Sequence, residues 1–121
     1  MKPKEYGAEC IDFFRNKFNN ERNPEIAKKV KSTINKLKVD PYHKKSIKLE
    51  SNQLKYFRRF RPNDIRVIYQ VCGYCRNRGY TAILGKLCPP CEFPDDTVMF
   101  FYYGFRNDKK VYKDFEKMIP R

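Results

Sequence analysis

Arg59-Phe60-Arg61-Pro62-Asn63-Asp64-Ile65-Arg66-Val67-Ile68-Tyr69-Gln70-Val71 is the stretch that decides the fold class. Pro62-Asn63-Asp64 is turn chemistry, because proline presets a backbone angle and Asn and Asp side chains fold back onto their own main chain. Residues on either side are β-formers, so the stretch reads as an antiparallel hairpin of strands over 56–61 and 65–71. A further short strand is expected over 46–49. Residues 97–103 form a continuous rather than alternating run of β-formers, as expected for a strand covered on both faces at the centre of a sheet.

Two helices precede the hairpin. Asn23-Pro24-Glu25 is a helix start, with a capping side chain, a proline whose missing N–H is harmless at the first position, and an acid in the first turn. Ile26, Val30, Ile34 and Leu37 then repeat at helical spacing until Asp40-Pro41 ends the run. Ile11, Phe14 and Phe18 mark a shorter helix over about 8–19, and the two form an αα-hairpin with their apolar stripes turned to a common core. Behind Asn107-Asp108, the spacing of Val111, Phe115 and Met118 predicts a short C-terminal helix. The 121 residues carry no repeat and suit one domain, residues 1–121.

Charge narrows the choice of partner. Lys and Arg number 27 against 14 Asp and Glu, a formal net charge of +13. Residues 44–66 alone hold eight positive and two negative side chains. Such an excess opposes compaction, so a negatively charged partner is expected, nucleic acid first and an acidic protein second. Lys44, Lys45, Lys48, Lys55, Arg58 and Arg61 are the candidate RNA-binding residues. Tyr56, Phe57 and Tyr74, beside arginines, are candidates for stacking on bases. No apolar run approaches the roughly 20 residues that cross a bilayer, and Met1-Lys2-Pro3-Lys4-Glu5 lacks a signal peptide's apolar core. A soluble, cytoplasmic protein without a membrane partner is the expectation.

Cys72-Gly73-Tyr74-Cys75 and Cys88-Pro89-Pro90-Cys91 are two CxxC knuckles separated by twelve residues. That pattern is the spacing of a four-thiolate zinc site, each knuckle supplying two sulfurs and a small hairpin over 76–87 bringing them together. One structural Zn²⁺ per chain, held by Cys72, Cys75, Cys88 and Cys91, is expected. Disulfides are the alternative. The fifth cysteine, Cys10, is expected beside the apolar face of the first helix as a buried thiol.

The element order, the quoted 59–71 stretch, and the later Gly104-Phe105-Arg106 and Val111-Tyr112 together resemble the RelE/ParE superfamily of bacterial and archaeal toxins. Its hallmark is a basic strand, a turn and an R-[VL]-[IV]-Y strand, here Arg66-Val67-Ile68-Tyr69. The resemblance spans about 8–112, interrupted by the cysteine insertion at about 72–91. It implies an α/β (α+β) RelE-like fold: an N-terminal αα-hairpin packed on a curved antiparallel sheet, a zinc ribbon inserted in a strand-strand connection, and a short C-terminal helix. It further implies a toxin of a toxin-antitoxin system. Such a toxin is a ribosome-dependent endoribonuclease that cleaves mRNA by attack of a ribose 2′-OH on the adjacent phosphate and is covered by an acidic antitoxin. Arg59, Arg66, Arg106 and Tyr112 match the family's catalytic positions, whereas Phe57 stands where such enzymes carry a second lysine. The alternative is a non-catalytic binder of the same fold, a ParE-like gyrase inhibitor or a ribosome- or RNA-binding zinc protein.

The residues themselves suit phosphate chemistry. His43 is the only histidine, which excludes RNA cleavage by two imidazoles. Arginines cannot act as bases at neutral pH, but they offer bidentate hydrogen bonds to a phosphorane and neutralise its charge.

Overall fold

A computed structural model describes residues 5–61, 63–88, 91–105 and 108–119. The chain is a mixed α/β protein with a five-stranded mixed sheet. Its strands are β1 (Gly7–Cys10), β2 (Ser46–Lys48), β3 (Arg58–Phe60), β4 (Ile65–Val71) and β5 (Thr97–Phe105), and its helices are α1 (Asp12–Asn19), α2 (Pro24–Val39), α3 (Cys72–Asn77), α4 (Thr81–Leu84) and α5 (Asp108–Glu116). The sheet order is β1-β5-β4-β3-β2.

The expected β3-β4 hairpin is present and antiparallel, and the strand rich in aromatics, β5, lies inside the sheet between β1 and β4. The sheet is not wholly antiparallel, because β1 pairs parallel with β5. The first helix correspondingly starts later than its periodicity predicts. Residues 7–10 are taken into the ladder, Ile11 N–H gives its last bond to Phe100 O at 3.1 Å, and the helix begins at Asp12. Cys10 is therefore a half-buried strand residue and not part of a helix. The second helix starts as read, with the Asn23 side chain accepting from Glu25 N–H at 2.9 Å. The small hairpin expected over 76–87 is replaced by α3 and α4, joined through Gly79 at φ +71°, a conformation that glycine adopts without strain.

Alternation along β4 sorts the sheet into two faces. Ile65, Val67, Tyr69 and Val71 share one face with Phe100 and Tyr103 of β5, and Phe14 of α1 packs against both of those rings at 5.9 and 5.4 Å. Arg66, Ile68 and Gln70 share the other. A register shift leaves Phe101 without a partner on β4, since Ile68 faces Tyr102 and Tyr69 faces Phe100. Such a bulge turns two successive side chains the same way, and Phe101 and Tyr102 both meet the ring of Phe115 on α5, at 6.4 and 5.8 Å. Phe57 completes this second cluster, edge-on to Phe101 at 5.0 Å and to Phe115 at 4.8 Å, and is fully buried.

Gly104 lets α5 settle onto the sheet, because a Cβ there would collide with Val111 Cγ2. Gly104→Ala should destabilise the protein by about 1–3 kcal/mol through overpacking. Combining it with Val111→Ala should recover part of that loss, a coupling of at least about 0.5 kcal/mol in a double-mutant cycle read by urea denaturation. Strictly additive losses would show that α5 does not rest on Gly104.

Candidate functional site

Arg66 pairs with Gly104, and the direction in which Gly104 lacks a side chain is toward Val111 of α5. Arg66 therefore projects to the face that α5 covers. Arg59 pairs with Ile68, which shares that face. Two residues separate Arg66 from Ile68 on one strand, so the two arginines are diagonal neighbours, with Cα atoms about 7–8 Å apart. Tyr112 follows Val111 on α5 and is half-buried. The fold thus gathers Arg59, Arg66 and the α5 turn bearing Tyr112 on one side of the sheet. Arg106 lies outside the described residues.

Arg66 donates from Nη1 to Asn63 O at 3.3 Å, which holds its stem toward the hairpin turn. Arg59 Nε is buried and has no hydrogen-bond partner among the described residues. A buried donor left in that state is costly, and a hydrogen-bond acceptor that reaches it relieves the cost.

The basic stretch divides into two kinds of residue. Lys44, Lys45, Lys48, Lys55 and Arg61 are exposed, and the first three lie along or beside β2, an edge strand of the sheet. Lysines there also discourage pairing with a foreign strand. Arg58 is instead committed to the interior of the opposite face. Its Nε donates to Ser46 Oγ at 3.1 Å, its Nη2 to Ser46 O at 3.3 Å, and its guanidinium lies 5.1 Å from the ring centre of Tyr42. Ser46 Oγ and Tyr69 OH are hydrogen-bonded to one another, and Tyr69 also donates to Pro41 O. Burial raises the Tyr69 phenol above its ordinary pKa, with Ser46 and Arg58 opposing. His43 accepts from Lys45 N–H at 3.0 Å and packs edge-on against Phe60, a turn residue rather than a reacting group. Phe57 cannot stack on a base, because none of it is exposed.

The cysteine expectation is corrected. Among the described residues, no group of three or more His, Cys, Asp or Glu side chains is arranged to hold a metal ion. Cys72 and Cys75 lie within α3 rather than on a hairpin knuckle, Cys88 Sγ donates to Leu84 O at 3.0 Å, and Cys91 is exposed; Pro89 and Pro90 lie outside the described residues. All five cysteines are free thiols, so the alternative of disulfides fails as well. Cys72, Cys75, Cys88 and Cys91 line one small cavity of about 20 Å³ together with Leu84, Met99 and Phe101. Burial there pushes Cys72, Cys75 and Cys88 up to about 11, so that they stand as neutral thiols at neutral pH. The insertion is thus held by helix and thiol packing and by Arg76, which donates to Asp95 Oδ1 at 2.6 Å and to Phe93 O.

No protein-family model matches the chain, and no curated protein matches it significantly. No helix among the described residues is long and apolar enough to cross a membrane.

Sequence reasoning missed Tyr80. Its ring stands edge-on to Tyr56 at 5.0 Å and to Tyr74 at 6.2 Å. Periodicity gives no signal for a tyrosine between two short helices; only its place two residues after Arg78, in a basic and aromatic stretch, hinted at a role.

Alkylation with iodoacetamide at pH 8 should show one fast thiol, Cys91, with Cys72, Cys75 and Cys88 much slower, and Cys91→Ser should remove the fast phase. Joint protection of all four, released together by a chelator, would contradict the neutral-thiol arrangement.

Proposed function

We propose that the chain is a RelE-like toxin, an endoribonuclease that cleaves mRNA on the ribosome and is held in check by an acidic antitoxin. The observation that carries this reading is the buried, unpartnered Nε of Arg59 beside Arg66 on the face that α5 covers. In this reading the RNA backbone crosses that face and the scissile phosphate seats between the two guanidinium groups. Attack by the adjacent 2′-OH forms a phosphorane whose added negative charge the arginines offset, and departure of the 5′-oxygen completes the cleavage. Tyr112 is the proton-transfer group, relaying the 2′-OH proton to the departing 5′-oxygen, so that the products are a 2′,3′-cyclic phosphate and a 5′-hydroxyl. The exposed lysines of 44–55 hold the flanking phosphates and account for affinity rather than chemistry.

The non-catalytic binder is favoured by one observation. Phe57, at the position of the family's second lysine, is a fully buried wedge between Phe101 and Phe115, so the reacting face has one cation fewer.

Arg66→Ala should lower mRNA cleavage on programmed ribosomes by roughly two to three orders of magnitude while changing ribosome affinity little. Lys44→Ala should do the reverse, and Tyr112→Phe should separate proton transfer from packing because it removes only the hydroxyl. Uncut mRNA under conditions where the wild-type protein binds ribosomes would decide for the binder.

A further inference from the structure

A second cluster lies at the end of β3 and β4 away from their hairpin turn. Tyr56 just before β3, Tyr74 on α3 and Tyr80 between α3 and α4 come from three separate segments, and their rings meet edge-on around Tyr80. All three are only partly buried. Two exposed cations sit over the outer rings, Lys55 Nζ 5.4 Å from the centre of Tyr56 and Arg78 Cζ 5.2 Å from that of Tyr74. An aromatic platform edged with cations has the composition that holds single-stranded nucleic acid, with rings stacking on bases and the charges meeting the phosphates.

We propose that Tyr56, Tyr74 and Tyr80, with Lys55 and Arg78, form a base-stacking subsite for single-stranded RNA. The proposal rests on the nuclease reading for RNA as the ligand, and on its own geometry for binding. The subsite accepts any base, because every base has a π-face, so it adds affinity and register without sequence choice.

The test uses the full-length protein and a labelled single-stranded oligoribonucleotide, read by fluorescence anisotropy. Tyr74→Leu keeps apolar volume but loses the ring, and should weaken binding about 5- to 100-fold. Tyr74→Phe keeps the ring and should bind as wild type. Lys36→Ala, which removes one exposed charge from α2, should change affinity less than about twofold. An abasic oligonucleotide of equal length should bind more weakly than the intact one. The chain has no tryptophan, so quenching of its tyrosine emission on RNA binding should also diminish in Tyr74→Leu. A folded Tyr74→Leu protein with wild-type affinity, or equal affinity for the abasic strand, overturns the subsite. If Tyr74→Leu fails to fold, Arg78→Ala takes its place, with a several-fold loss expected and no loss overturning the proposal. The nuclease reading fails separately: a ring-dependent affinity in a protein that cuts nothing keeps this subsite and refutes the enzyme. Cleavage with no ring-dependent affinity does the opposite.

Discussion

The contact on which the rest of this molecule depends is the seating of Phe115 among Phe57, Phe101 and Tyr102. It requires the bulge at Phe101, since a regular strand would send Phe101 and Tyr102 to opposite faces. It requires Gly104 as well, because a side chain there would hold α5 away from the sheet. With both in place, α5 lies across the face that carries Arg59 and Arg66, and its turn with Val111 and Tyr112 is brought beside them. An aromatic packing event thereby composes the polar site. Replacing Phe57 by a charged residue would break that seat, which is a physical reason for an apolar residue at a position where the resemblance leads one to look for lysine.

The two faces of the sheet use arginine in opposite ways. On the α1 and α2 side, Arg58 is consumed by Ser46 and by the ring of Tyr42, and the buried hydroxyls of Ser46 and Tyr69 are satisfied with it. This network ties β2 and the turn at Pro41 to the centre of the sheet. On the α5 side, Arg59 keeps a buried Nε without a hydrogen-bond partner among the described residues. Adjacent arginines on one strand thus stand in opposite surroundings, and the pleat separates them.

The insertion between β4 and β5 is built as two short helices over a small cavity of thiols and apolar side chains. Spacing of cysteines could not distinguish this from a ribbon, because the same C-x-x-C interval spans a tight knuckle and nearly one turn of helix. What separates them is the backbone that the intervening residues adopt, and residues 81–84, Thr-Ala-Ile-Leu, pack as a helix whose Leu84 enters the core. The insertion also carries Tyr80 to the ring of Tyr56, 24 residues earlier in the chain, with Tyr74 edge-on to Tyr80.

By itself the sequence determined those elements whose signals are local. The Asn23-Pro24 cap, the stop at Asp40-Pro41, the turn at Asn63-Asp64, the β-former run of β5 and the helical repeat of Val111 and Phe115 all act within a few residues, and each element appears where it was read. The basic character of residues 44–66 was legible in the same way, whereas Arg59, Arg66 and Tyr112 became candidates only through the family resemblance. Tertiary structure alone decided the rest. β1 is a strand because β5 offers it a parallel edge, against the helical spacing of Ile11, Phe14 and Phe18. Which of Arg58 and Arg59 turns to which face is set by the pairing of β3 with β4. Cys72 and Cys75 stand in a helix, and with Cys88 they pack as thiols against Leu84, Met99 and Phe101 around one small cavity. In each case the deciding energy is a contact between residues far apart in the chain, which no window of sequence contains.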